Sequence, residues 1–132
     1  MASDTTGATG LAGRYATALY ELADEAKALD QVAEDLRSIT RMIAESADFN
    51  RMIRSPVISR TAQGAAINEI LSKAGASDLT RKFAGVLASN RRLFVLPDII
   101  EGYLAILAAF LVLALTLAPL AVAAALRLAT GG

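Results

Sequence analysis

The chain has 132 residues, with 13 Lys and Arg against 13 Asp and Glu, and neither cysteine nor histidine. That length supports one domain with a real core, while the missing residue types remove disulfides, thiol nucleophiles, most zinc sites and the commonest general base at neutral pH. Residues 1–50 carry nine acids against four bases and residues 51–101 four against eight; this bias reads as solvated and screened, and no basic stripe interleaved with aromatics points to nucleic acid.

Met1 to Gly10 is Ser, Thr, Gly and Ala without periodicity and reads as a flexible lead-in. With no Lys or Arg and with Asp4, it is not expected to be a secretory signal. A first helix is expected from about Gly10 to Lys27. Leu11, Tyr15, Ala18, Leu19, Leu22 and Ala26 recur at steps of three and four, and Ala16, Tyr20 and Ala23 widen the apolar surface beyond one stripe. Such a helix meets neighbours on several sides; its alanines permit close approach and its tyrosines bring rings whose hydroxyls need partners.

Leu29, Val32, Leu36, Ile39 and Ile43 form the seam of a second helix, expected to pack antiparallel on the first, with Glu34, Asp35, Arg37 and Arg41 turned outward. Ser46 or Asp48 can cap a short third helix bearing Phe49, Met52 and Ile53, which Pro56 stops near Ser55. Ser59 reads as the N-cap of a fourth helix with Ala62, Ala66, Ile67, Ile70, Leu71 and Ala74 inward and Gly75 supplying a left-handed C-terminal turn. Ser77 caps a fifth helix whose inner face is Leu79, Phe83, Val86, Leu87 and Asn90, with Asp78 at the positive end of its dipole. Leu93, Phe94 and Leu96 cover the bundle end, and Pro97 opens a sixth helix through Ile99, Ile100, Tyr103, Leu104 and Leu107. With no period-two pattern, the fold class is an all-α six-helix bundle over residues 11–107.

Catalysis finds no constellation. Asp24-Glu25 and Glu34-Asp35 are adjacent pairs that point in different directions around a helix, so they read as solvated faces rather than acid-base dyads. No cofactor, metal, nucleic acid or small-molecule substrate is expected.

Three stretches carry a resemblance: Gly13-Arg14-Tyr15-Ala16-Thr17-Ala18-Leu19-Tyr20-Glu21-Leu22-Ala23, Ser55-Pro56-Val57-Ile58, and Asn90-Arg91-Arg92-Leu93-Phe94-Val95-Leu96-Pro97-Asp98-Ile99-Ile100. Together, from about Leu11 to Leu107, they resemble the N-terminal domain of the delta subunit of F-type ATP synthase, the oligomycin-sensitivity-conferring protein family. The resemblance implies a non-catalytic clamp on the catalytic F1 head, with the N-terminal helix of an alpha subunit held in a groove between the first and fifth helices. Carried onto this chain, the groove is Tyr15, Ala18, Leu19 and Leu22 facing Phe83, Val86, Leu87 and Asn90. It further implies a monomer within a peripheral stalk at the cytoplasmic face of the bacterial inner membrane. A separate C-terminal domain would bind the b subunits, and that partner is doubtful here.

Residues 108–132 depart from the family. Phe110 to Gly132 is almost wholly Leu, Ala and Val, with Pro119 inside and Arg127 as its one charge. Tyr103 to Leu126 is an uncharged run of 24 residues, long enough to cross a bilayer. Residues 103–107 cannot both complete the bundle and lie in lipid, and Phe110 to Leu126 alone is 17 residues, the lower limit of a span. The abrupt end of the resemblance in mid-helix and the absence of a polar face favour an out-of-register translation, which would leave the stalk-binding half lost. A small tail-anchored helical membrane protein and an RNA-binding domain of the antitermination-factor type are the other two readings, the latter resting on Arg81-Lys82 and Arg91-Arg92. Genomic DNA around codon 109 tests the out-of-register reading, and alkaline extraction from membranes tests the tail-anchored one.

Overall fold

The computed structural model describes residues 8–131, and side chains from residue 10. Six α-helices follow one another: α1 (Ala8–Glu25), α2 (Leu29–Glu45), α3 (Ala47–Arg54), α4 (Arg60–Lys73), α5 (Asp78–Ser89) and α6 (Leu96–Gly131), with a 3-10 turn at Leu93–Val95 ahead of the last. No strand occurs among the described residues, and the all-α bundle expected from periodicity is the fold observed. Met1 to Gly7 of the expected lead-in lie outside the described residues, whereas Ala8 to Gly10 are already helical.

Helix ends follow the local chemistry. The Ser46 hydroxyl accepts from the Phe49 amide and the Ser59 hydroxyl from the Ala62 amide, each at 3.1 Å, so α3 and α4 carry side-chain N-caps. The chain is extended at Ser55, immediately before Pro56, which ends α3. Gly75, with φ of 80°, lets the Ala76 amide turn back to the Leu71 carbonyl at 3.0 Å and reverses the chain between α4 and α5.

The core runs through all six helices, from Ala16, Leu19 and Ala23 on α1 through Val32, Leu36 and Ile39 on α2 to Leu96, Ile99 and Tyr103 on α6. The buried stripe of α1 is therefore Ala12, Ala16, Leu19 and Ala23, while Ala18, Leu22 and Ala26 of the expected stripe are exposed. On α4 the inward positions are Gln63, Ile67 and Leu71. Ala62 and Ala74, expected inward, lie outside; Gln63 goes in because its amide donates to the Met52 carbonyl at 2.9 Å.

One packing partner is not announced by the spacing. The principal neighbour of α1 is α6 rather than α2, and the two run parallel: Ala12 and Gly13 lie beside Asp98 and Glu101, Ala16 opposite Gly102, and Tyr20 against Tyr103 and Phe110. The reason is steric. A Cβ placed on Gly102 would stand 2.8 Å from the Ala16 Cβ, so the glycine permits a backbone approach that the larger seam of α2 does not. Gly102→Ala should destabilise the bundle by about 1–2 kcal/mol through overpacking, even though alanine is the better helix former by about 1 kcal/mol. Urea denaturation checks this, and Ala16→Gly added to Gly102→Ala should recover part of the loss.

Burial of Asp35, only 6% exposed, is a correction, since it was expected outward beside Glu34. Its Oδ2 accepts from the Ser77 amide at 3.0 Å and from the Ser77 and Thr80 hydroxyls at 2.7 Å each, and its Oδ1 accepts from the Gln31 amide at 2.9 Å. Ser77 stands at the N-cap position of α5, yet its hydroxyl is spent on Asp35 and makes no bond to the helix amides. A carboxylate from α2 thus sits at the positive end of α5 and ties the two helices together. Burial raises the Asp35 carboxyl, but the bonds from Ser77, Thr80 and Gln31 outweigh it and leave the group below its ordinary value.

Tyr103 closes the core at the start of α2. Its hydroxyl donates to the Leu29 carbonyl at 2.7 Å, and burial first, then the Tyr20 and Asp30 charges, pushes it up to about 12.

Candidate partner-binding site

The faces of α1 and α5 are bridged by side chains rather than by close backbone approach. Tyr15 meets Phe83 edge to face, with ring centroids 6.1 Å apart and planes at 78°. The Tyr15 hydroxyl accepts from the Asn90 amide at 3.4 Å and from the Arg92 guanidinium at 3.3 Å. The Arg92 bond is the largest influence on this phenol and, with Asn90 and the Arg92 and Arg14 charges, it lowers the Tyr15 value against the opposing effect of burial.

Around this bridge the eight expected groove residues divide by depth. Ala18 and Asn90 are exposed, Leu22 is 47% and Val86 50% exposed, Tyr15 is half-buried and Phe83 is 8% exposed. Leu19 and Leu87 have no exposed surface. The accessible part of the strip is therefore Tyr15, Ala18, Leu22, Val86, Asn90 and a little of Phe83, while Leu19 and Leu87 are wholly covered. Two half-exposed branched side chains, Leu22 on α1 and Val86 on α5, thus lie on the helices that the aromatic pair joins. A cleft of about 250 Å³ lies elsewhere, between Ile53, Pro56, Gln63, Arg91, Leu93 and Phe94.

Arg91 and Arg92, on which the RNA-binding reading rests, act as fasteners within the fold. Arg91 is left-handed, with φ of 58°, and its guanidinium donates to the carbonyls of Pro56, at 3.0 Å, and Ile58. Arg92 reaches Tyr15. The three separated motifs meet here: the Asn90-Arg91-Arg92 corner holds Tyr15 on one side and the Pro56-Val57-Ile58 loop on the other. Arg60 adds a bond to the Ser89 carbonyl at 3.3 Å, at the end of α5. Arg81 pairs with Asp78. Arg92 was missed as a site residue because nothing in the local pattern says that an arginine after a helix end will reach back to a tyrosine 77 positions away. Among the described residues no cluster of three or more His, Cys, Asp or Glu is arranged to hold a metal ion.

Residues 11–114 match the family described as ATP synthase delta (OSCP) subunit. The ATP synthase subunit delta of Rhodospirillum centenum is 54% identical over 108 residues, which is 82% of this chain and 58% of that protein. That of Paramagnetospirillum magneticum is 52% identical over 109 residues, 83% of this chain and 58% of that protein. The subunit of Bradyrhizobium diazoefficiens is 46% identical over 110 residues, 83% of this chain and 59% of that protein. The chain thus spans about three-fifths of the length of these relatives. With a match over most of its length, and with the three motifs joined at one corner of the bundle, the chain belongs to the ATP synthase delta (OSCP) subunit family.

Proposed function

We propose that the bundle is the head-binding part of a delta-type subunit, a non-catalytic piece of the peripheral stalk of a proton-translocating F-type ATP synthase. Its partner is the N-terminal helix of an F1 alpha subunit, laid along the strip between α1 and α5 and contacting Tyr15, Ala18, Leu22, Phe83, Val86 and Asn90. The supporting observation is a pair of half-exposed apolar side chains, Leu22 on α1 and Val86 on α5, on the two helices joined by the Tyr15–Phe83 bridge. An amphipathic helix covering them removes apolar surface worth about 1 kcal/mol at each residue and reads as a helix-in-groove mode of recognition.

The role is mechanical. Torque from a rotating shaft acts on the head, and a subunit gripping the head from the stalk resists it. Such a subunit needs a rigid docking face rather than acid-base groups. The corner fastened by Arg91 and Arg92 supplies that rigidity, since both side chains are held by bonds across the fold. The proposed location is the cytoplasmic face of a bacterial inner membrane, by way of the synthase. Docking to the b subunits would belong to the part of the relatives' length that this chain does not match.

Calorimetric titration of the full chain in mild non-ionic detergent, with a synthetic peptide of an alpha-subunit N-terminal helix, tests the proposal. Saturable one-to-one binding is expected, and in amide NMR spectra recorded along the same titration the shifts should concentrate at Tyr15, Leu22 and Val86. Absence of binding, or shifts confined to α3 and α4, would contradict it.

A further inference from the structure

Past Leu111, the distal part of α6 runs alone. With Ala16 opposite Gly102 in a parallel pair, the end of α1 at Glu25 falls about level with Leu111, and beyond that level α6 has no helix beside it. Every residue from Ala108 to Gly131 is exposed. The helix continues unbroken past Pro119 to Gly131 and is long and apolar enough to cross a membrane.

Its chemistry is uniform around the circumference. A helix meant for a protein groove keeps a polar face for water; from Ala108 to Leu126 this one offers Thr116 as its sole polar side chain. The Thr116 hydroxyl donates within the helix, to the Val112 and Leu113 carbonyls at 3.0 Å each, and thus presents no unmet donor to its surroundings. Hydrocarbon demands that polar groups be satisfied within the helix; Thr116 meets this, and the Leu115 carbonyl, four residues before Pro119, is the one position where proline supplies no amide hydrogen. The uncharged stretch Ala108 to Leu126 is 19 residues, about 28 Å of helix at 1.5 Å per residue, against a hydrocarbon core of about 30 Å. Arg127 follows directly, where a long cationic side chain can reach the far interface. Where the helix leaves the bundle, Phe110 stacks on Tyr20 with centroids 5.4 Å apart, an aromatic pair at the level expected of a membrane interface.

We propose that Ala108 to Leu126 inserts into a lipid bilayer as a single span. This follows from the side chains of the translated segment and holds whether or not its codons are in register with those of the relatives. It is also independent of the α1–α5 strip.

The test is cell-free synthesis of the full chain in the presence of phosphatidylcholine and phosphatidylglycerol vesicles, followed by alkaline carbonate washing and flotation. Most of the chain should float with the vesicles after the wash. The double variant Leu113→Arg with Leu117→Arg, placed where no bundle contact is made, should fall at least tenfold in the floated fraction while keeping its helical circular dichroism. Release of the unaltered chain by carbonate would overturn the proposal. So would soluble self-associated chain that fails to float, or flotation of the double variant equal to that of the unaltered chain.

Discussion

Asp35→Ala should destabilise the bundle by about 3 kcal/mol, the upper end for leaving buried donors without a partner, and lower the melting temperature by roughly 15 °C. Three donors lose one oxygen at once: the Ser77 amide, the Ser77 hydroxyl and the Thr80 hydroxyl. Thr80 is 1% exposed, so water does not readily replace the carboxylate there. Asp35→Asn keeps one acceptor oxygen and should lose about half as much. The pH dependence has a definite sign. The folded-state value of Asp35 lies below its ordinary one, so its contribution is complete above about pH 4 and is lost as pH falls through the folded-state value. Urea denaturation between pH 2.5 and pH 7 should show an acid-sensitive component in the unaltered chain that both variants lack.

Val86→Asp should weaken binding of the alpha-subunit helix by about thirtyfold, or about 2 kcal/mol, because a carboxylate would be driven from water into an apolar contact. Val86 is 50% exposed in the free chain, so the same substitution should move stability by less than about 1 kcal/mol. That separation gives the variant its value. Leu87→Asp, one position on, would bury a charge in the core and unfold the bundle, leaving binding uninterpretable.

Much of the fold was legible because it rests on short-range chemistry. Ser46, Ser59 and Gly75 act at the helix ends where their residue types place them, and Val32, Leu36 and Ile39 form the buried seam that their spacing predicts. What stayed hidden depends on residues far apart in the chain. Asp35 reads as one more acid on an outer face until Ser77 and Thr80 arrive from 42 and 45 positions away to surround it. Likewise, α1 carries so many alanines that several faces of it can be buried. Only the absence of a side chain at Gly102 decides that α6, in parallel, takes the closest one.

The candidate site was legible as residue types but not as depths. Leu19 and Leu87 have the same chemistry as Leu22 and Val86, and periodicity assigns all four to one face. One position separates buried Leu87 from half-exposed Val86 and three separate buried Leu19 from half-exposed Leu22, and steps that small along a helix divide floor from surface. The three motifs, similarly, look independent along the chain. Their meeting at the Arg91–Arg92 corner explains why Tyr15, the Pro56 loop and Asn90 belong to one physical unit.

Whether the α1–α5 face grips an alpha-subunit helix is read by titrating that helix into the unaltered chain and into Val86→Asp. Saturable binding to the first, weakened about thirtyfold in a second chain that melts at nearly the same temperature, is the result predicted. Equal affinity for both chains would contradict it.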